Sequence, residues 1–204
     1  MMGRMIGAAL VVAVLLGGLA LALGTGVLSR QPETDEPLRI SPEAAASAAA
    51  KLARLGSEGE EVRLNGVEIT SLIRHRPALF TLGTLIEPEV QIRSDTLHLT
   101  GSVATDELPA EADLGSIRQL LPDTTSVYVA GTIHALEGGA TILQIASLEV
   151  AGIPIPDRYY PMILERLGRP DDGSLPPGSV ALPLPAAVRA ARLEDGFLHL
   201  TPSR

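Results

Sequence analysis

The sequence predicts an α+β fold: an N-terminal transmembrane helix, then a mostly antiparallel, curved sheet of hairpins with helices packed on one face. Three observations predict it. Residues Met5 to Leu28 carry no charge. Two segments, Ser41 to Leu55 and Asn65 to Ile73, then place apolar residues at helical spacing behind good N-cap residues. Beyond them the period changes to alternation, in three pairs of runs joined by short polar turns.

The uncharged run of 24 residues, rich in Ala, Leu, Val and Gly, would span roughly 36 Å as a helix, enough for a bilayer core. Arg4 and the terminal amine precede it, and Glu33, Asp35 and Glu36 follow, which favours a cytoplasmic N-terminus and an external remainder. Residues 1–29 are therefore expected to be an uncleaved, single-pass signal anchor. The alternative is cleavage near Ala20-Leu21-Ala22, which would release a secreted or periplasmic protein. Both readings export residues 31–204. Residues 30–40, with Pro32 and Pro37, read as a short polar linker, and residues 41–204 as the extracytoplasmic α+β domain.

Within that domain, Ser41-Pro42-Glu43 opens a helix whose apolar face is Ala45, Ala48, Ala49, Leu52 and Leu55, with Gly56 as its stop and Ser57 to Glu61 as an acidic loop. Val62 and Leu64 suggest a brief strand. Asn65-Gly66-Val67-Glu68 has the spacing of a capping box and opens a second helix that ends before Pro77. The hairpins pair Glu89–Arg93 with Thr96–Ala104, Ser126–Ala135 with Ala140–Val150, and Val188–Leu193 with Phe197–Thr201. Leu114 to Leu121 suggests a helical turn or two. Tyr159 to Leu167 reads as a helix with Pro161 in its first turn, and Arg169 to Ser179 as a Pro/Gly loop. Two returning strands, at Leu97 and Leu198, share Leu-His-Leu-Thr, a length over which strands converge easily.

Composition narrows the function. The 204 residues include no Cys and no Trp, with three Tyr and two Phe, which excludes disulfides, thiol nucleophiles and Cys-ligated metals. A net charge of −8 argues against nucleic acid. Arg4 belongs to the anchor region, so residues 30–204 hold 15 basic and 24 acidic side chains, a net of −9. No His-Glu-x-x-His, Gly-x-Ser-x-Gly or phosphate-loop motif occurs, and Asp171-Asp172-Gly173 lacks the ligand series of a calcium loop. No catalytic residue, metal or cofactor is expected. His98 and His199 face away from their flanking leucines and could meet across strands to bind a metal, but without a spacing motif the solvent-facing reading is preferred.

The candidate ligand-binding residues are Ile153, Ile155, Tyr159, Tyr160, Met162 and Ile163. Pro154 and Pro156 cannot donate to a sheet ladder, so this piece should lie at a sheet edge or leave the sheet. Its tyrosines and methionine offer an adaptable amphipathic rim for an apolar ligand. Ordinary strand-exit and helix packing is the other reading of the same residues.

The order of parts resembles the small membrane-anchored bacterial envelope proteins of the YpmS and LmeA types. An anchor leads to the strand-to-helix segment Val62–Ile73; two hairpins follow, the second ending in Val150-Ala151-Gly152-Ile153-Pro154-Ile155-Pro156, and a hairpin turning at Asp195-Gly196 closes the chain. The resemblance covers roughly residues 60–202 and does not account for the alanine helix at Ser41. It implies a fold related to tubular lipid-binding proteins and an apolar groove for an acyl chain. The functional expectation is a non-enzymatic envelope protein that binds a lipid or other apolar ligand beside the membrane. The alternatives are a structural module for an envelope protein partner, or an unrecognised hydrolase using His134 or His75.

Overall fold

The computed structural model describes residues 39–76, 85–104, 122–135, 141–166, 175–182, 184 and 187–203. The Met5–Leu28 run, nearly all of the linker, Leu114–Leu121 and Asp171–Gly173 lie outside the described residues. Among the described residues no helix is long and apolar enough to cross a membrane.

Helix α1 (Pro42–Glu58) starts as its sequence dictates: Ser41 is extended and its side chain accepts the Ala44 N–H. Its buried stripe is Ala44, Ala45, Ala48, Ala49, Leu52 and Leu55. The helix does not stop at Gly56 but runs to Glu58 and is capped by Gly59 at φ 68°. A glycine inside a helix costs only about 1 kcal/mol, whereas the left-handed cap needs a residue free to adopt positive φ. The segment expected to be an acidic loop is thus partly helix.

Strand β1 (Val62–Asn65) leads directly into α2 (Gly66–His75). The capping box at the junction is complete: Asn65 Oδ1 accepts from Glu68 N at 2.9 Å, and Glu68 Oε2 accepts from Asn65 N at 3.1 Å.

The strands that follow are β2 (Ile86–Arg93), β3 (Thr96–Ala104), β4 (Thr124–Ala135), β5 (Thr141–Val150) and β6 (Ile153–Pro154). A 3-10 turn at Asp157–Tyr159 precedes α3 (Tyr160–Arg166), and β7 (Ser179–Leu182), β8 (Val188–Glu194) and β9 (Phe197–Pro202) complete the chain. Every strand pair is antiparallel, so the α+β class is as expected. The hairpins divide between two sheets. A six-stranded sheet has the order β2-β3-β4-β5-β6, with β7 also on β5; a three-stranded sheet has the order β1-β9-β8. β6 and β7 are two and four residues long, too short for alternation to reveal, and Ser179 opens a strand instead of closing a loop.

One apolar cluster joins the helices and both sheets. It runs from Leu52 and Leu55 of α1 through Leu64, Leu72, Leu99, Val129 and Leu143 to Leu164 of α3 and Leu200 of β9. Alternation explains the strand contributions: Leu97, Leu99 and Val103 point inward from β3, while Thr96, His98 and Thr100 do not.

Helix α2 closes one edge of the large sheet. Gly66 approaches β2 so closely that a Cβ would stand 2.4 Å from Val90 O. One turn on, Thr70 Oγ1 accepts from Val90 N at 2.8 Å and donates to Gly66 O at 2.8 Å, with Val90 O at 3.3 Å. A further turn on, Arg74 Nε donates to Pro88 O at 2.9 Å. The spacing 66, 70, 74 is a single helical stripe laid along a strand edge.

Candidate functional site

The expected ligand segment lies at the other edge of the large sheet. β6 pairs with the end of β5 through Val150 and Glu149, which places the Pro-x-Pro piece on an edge. Ile155 N donates to Leu148 O, after which the chain leaves the sheet and Pro156 O accepts the Tyr159 N–H of the 3-10 turn.

The candidate residues have different environments. Ile153 is 44% exposed at the end of the β5–β6 hairpin. Ile155 and Ile163 are half-buried and pack against the core. Tyr159 is half-buried, with the Arg158 guanidinium 4.8 Å from its ring centroid. Tyr160 belongs to the core: its ring is buried and its hydroxyl accepts the Leu148 N–H at 3.1 Å. That bond occupies an N–H in the gap between β6 and β7, which explains a tyrosine inside an aliphatic core. The Met162 side chain lies outside the described residues.

A polar constellation on the small sheet carries no local signal in the sequence. His199 of β9 is paired across the sheet with Arg63 of β1 and Arg192 of β8. Its side chain is 4% exposed, and Nδ1 lies 3.0 Å from Glu61 Oε1. Arg192 Nη2 reaches the same Glu61 oxygen at 3.1 Å and stands 3.5 Å from the His199 ring nitrogen, while its Nε binds Glu194 at 3.0 Å. The His199 hydrogen bond, aided by the charge of Arg192, holds the Glu61 carboxyl below its ordinary pKa. An ionised Glu61 can only accept, so in this contact His199 Nδ1 is the donor. The solvent-facing reading of His199 is therefore corrected: long cross-strand neighbours bury it on the face opposite Leu198 and Leu200.

His98 and His199 do not meet, because they stand in different sheets. His98 Nδ1 lies 2.8 Å from the Tyr128 hydroxyl, and partial burial, with Arg93 nearby, lowers its pKa. His134 is exposed and bonds Thr132 Oγ1 at 2.7 Å, and His75 is exposed in the last turn of α2. Among the described residues no group of three His, Asp or Glu side chains is placed to hold a metal.

The third polar group is structural. Glu68 is fully buried, with Oε1 2.9 Å from Lys51 Nζ and 3.4 Å from Ser47 Oγ of α1. Lys51 is the chain's one lysine, and it also donates to Arg63 O. The capping carboxylate therefore locks the two helices together.

Family models, curated proteins and solved structures give no match to this chain.

Proposed function

We propose that the chain is a membrane-anchored envelope protein whose extracytoplasmic domain binds a lipid or another apolar ligand without catalysing a reaction. The observation that carries this reading is the edge formed by β6 and α3. There Ile153 stands exposed while Ile155 and Ile163 lean on the core, in a chain whose uncharged N-terminal run is separated from this domain by only a short polar segment. The reading places the ligand at this edge; among the described residues, buried side chains from both sheets and the helices form one continuous cluster. Native mass spectrometry of the gently extracted full chain tests the proposal. Copurifying lipid is expected, with at least a tenfold loss in Ile153→Asp; lipid-free protein, or equal retention by the variant, sinks it.

The continuous core also favours a second reading, a structural module that holds a protein partner through the same edge. A photo-crosslinker at position 153 in intact cells separates the two. One dominant protein adduct supports the module, and lipid adducts alone support the ligand binder.

A further inference from the structure

We infer that the prolines at alternate positions of the β6 segment, Pro154 and Pro156, close this edge of the large sheet to a further strand, a second copy of the chain included. The inference concerns the main chain of the edge and stands apart from which ligand its side chains meet. It begins with the phase of the strand. Val150 and Ile153 pair across a two-residue turn in which Ala151 and Gly152 both have positive φ, 54° and 73°. Such a turn closes on a pair that exchanges main-chain hydrogen bonds. Two residues on, Ile155 N donates to Leu148 O at 2.8 Å, in the same phase. Ile153 and Ile155 therefore bond inward to β5. Pro154, paired with Glu149, turns its main-chain groups away from the sheet.

An outward position on an edge strand is where an added strand takes its hydrogen bonds. Proline at 154 offers a carbonyl there and no N–H. Position 156 is the next outward one in the alternation, and it too is proline. Its carbonyl is already taken by the Tyr159 N–H at 3.0 Å. Both prolines are exposed, and β6 ends the strand order of its sheet. Donors are thus missing at period two on the side where an incoming strand needs them, while Ile153 and Ile155 keep the donors that face β5.

A second copy is the case in which the exclusion matters, because the side chains alone would permit it. Ile153 is 44% exposed, and Ile155 follows two residues on, half-buried. Two β6 segments paired antiparallel about position 154 would set Ile153 of each chain opposite Ile155 of the other. In that register the two residues at position 154 would exchange a pair of main-chain hydrogen bonds, and proline withholds the donor of both. The side chains are self-complementary and the main chain is not. What meets this edge is accordingly met by side chains, Ile153 foremost, and not by main-chain pairing.

The absence of cysteine allows a clean test on the full chain, since Ile153→Cys places a lone thiol at the exposed tip of this edge. Chains in detergent are linked through that thiol by a short bismaleimide, with Pro154 kept or replaced in Pro154→Ala and Pro154→Val. Hydrogen exchange at the Ile155 N–H reports whether β6 still lies on β5. Each replacement is expected to raise the yield of linked pairs roughly tenfold, through the two restored main-chain hydrogen bonds, with Ile155 still protected. An unchanged yield in both variants overturns the inference. Loss of protection at Ile155 without a gain in linking overturns it as well, because proline would then be holding β6 in place and not guarding its edge.

Discussion

The two edges of the six-stranded sheet are closed by different means. At β2 the closing groups are side chains of one helix: Thr70 serves both polar groups of Val90, and Arg74 serves the carbonyls beyond. At β5 the closing groups are mostly backbone. β6 covers Glu149 and Val150, β7 covers Thr141 to Gln144, and Ile145 N donates to Gly178 O. The Leu148 N–H depends on a side chain, the hydroxyl of Tyr160. Side-chain closure concentrates the edge's stability in a few atoms, whereas backbone closure spreads it along the chain.

That contrast is sharpest at Gly66. Gly66→Val would drive Cβ into Val90 O and the Gln91 backbone, with no flexible end to yield, and is expected to cost about 3 kcal/mol or more. Urea unfolding of the full chain in detergent measures it; a shift in midpoint below a third of that breaks the account of a tight helix–edge seam. Glu68→Ala removes the buried partner of Lys51 and half the capping box. Because Lys51 is itself partly exposed and can regain water, the loss should be about 2–3 kcal/mol by the same measurement.

The edges compete directly in a pair of single-atom changes. Thr70→Val strands the Val90 N–H and should cost about 2 kcal/mol; Tyr160→Phe strands one N–H beside an otherwise backbone-closed edge and should cost about 1 kcal/mol. Hydrogen exchange should quicken at Val90 in the first variant and at Leu148 in the second. Equal losses would show that the two modes of closure do not differ.

The smallest effect lies on the sheet face between the edges. Burial first, and Arg93 second, depress the His98 pKa. The unfolded chain therefore binds this proton more readily than the folded one. The associated stability is full above the ordinary pKa of about 6.5 and is lost as pH falls toward the lower folded value. An NMR titration should place His98 below that ordinary value, and Arg93→Gln should move it partway back. A wild-type value at or above the ordinary one removes this contribution.

Much of the fold was legible because its signals are local. Ser41-Pro42 starts α1, Asn65 and Glu68 close a capping box, and the three hairpins carry their own alternation and turns. The site was less legible. Six neighbouring residues from Ile153 to Ile163 read as one rim, yet Tyr160 serves the core while Ile153 faces out, because a single hydroxyl was needed over Leu148. Glu61 and His199 stand 138 residues apart and meet only after β1 pairs with β9, so no spacing announces them.

By itself, then, the sequence determined where the first two helices begin, which face of them and of the hairpin strands is apolar, and that an uncharged run of bilayer length precedes an acidic, cysteine-free domain. These follow from periodicity, capping and turn chemistry, which act over a few residues. Tertiary structure alone decided how the hairpins divide between two sheets, which helix seals which edge, and what surrounds each histidine. His98 and His199 sit in the same Leu-His-Leu-Thr string, yet one meets Tyr128 and the other Glu61 and Arg192. A side chain's chemistry is set by the neighbours that strand pairing brings beside it, and pairing is settled by burying one shared core.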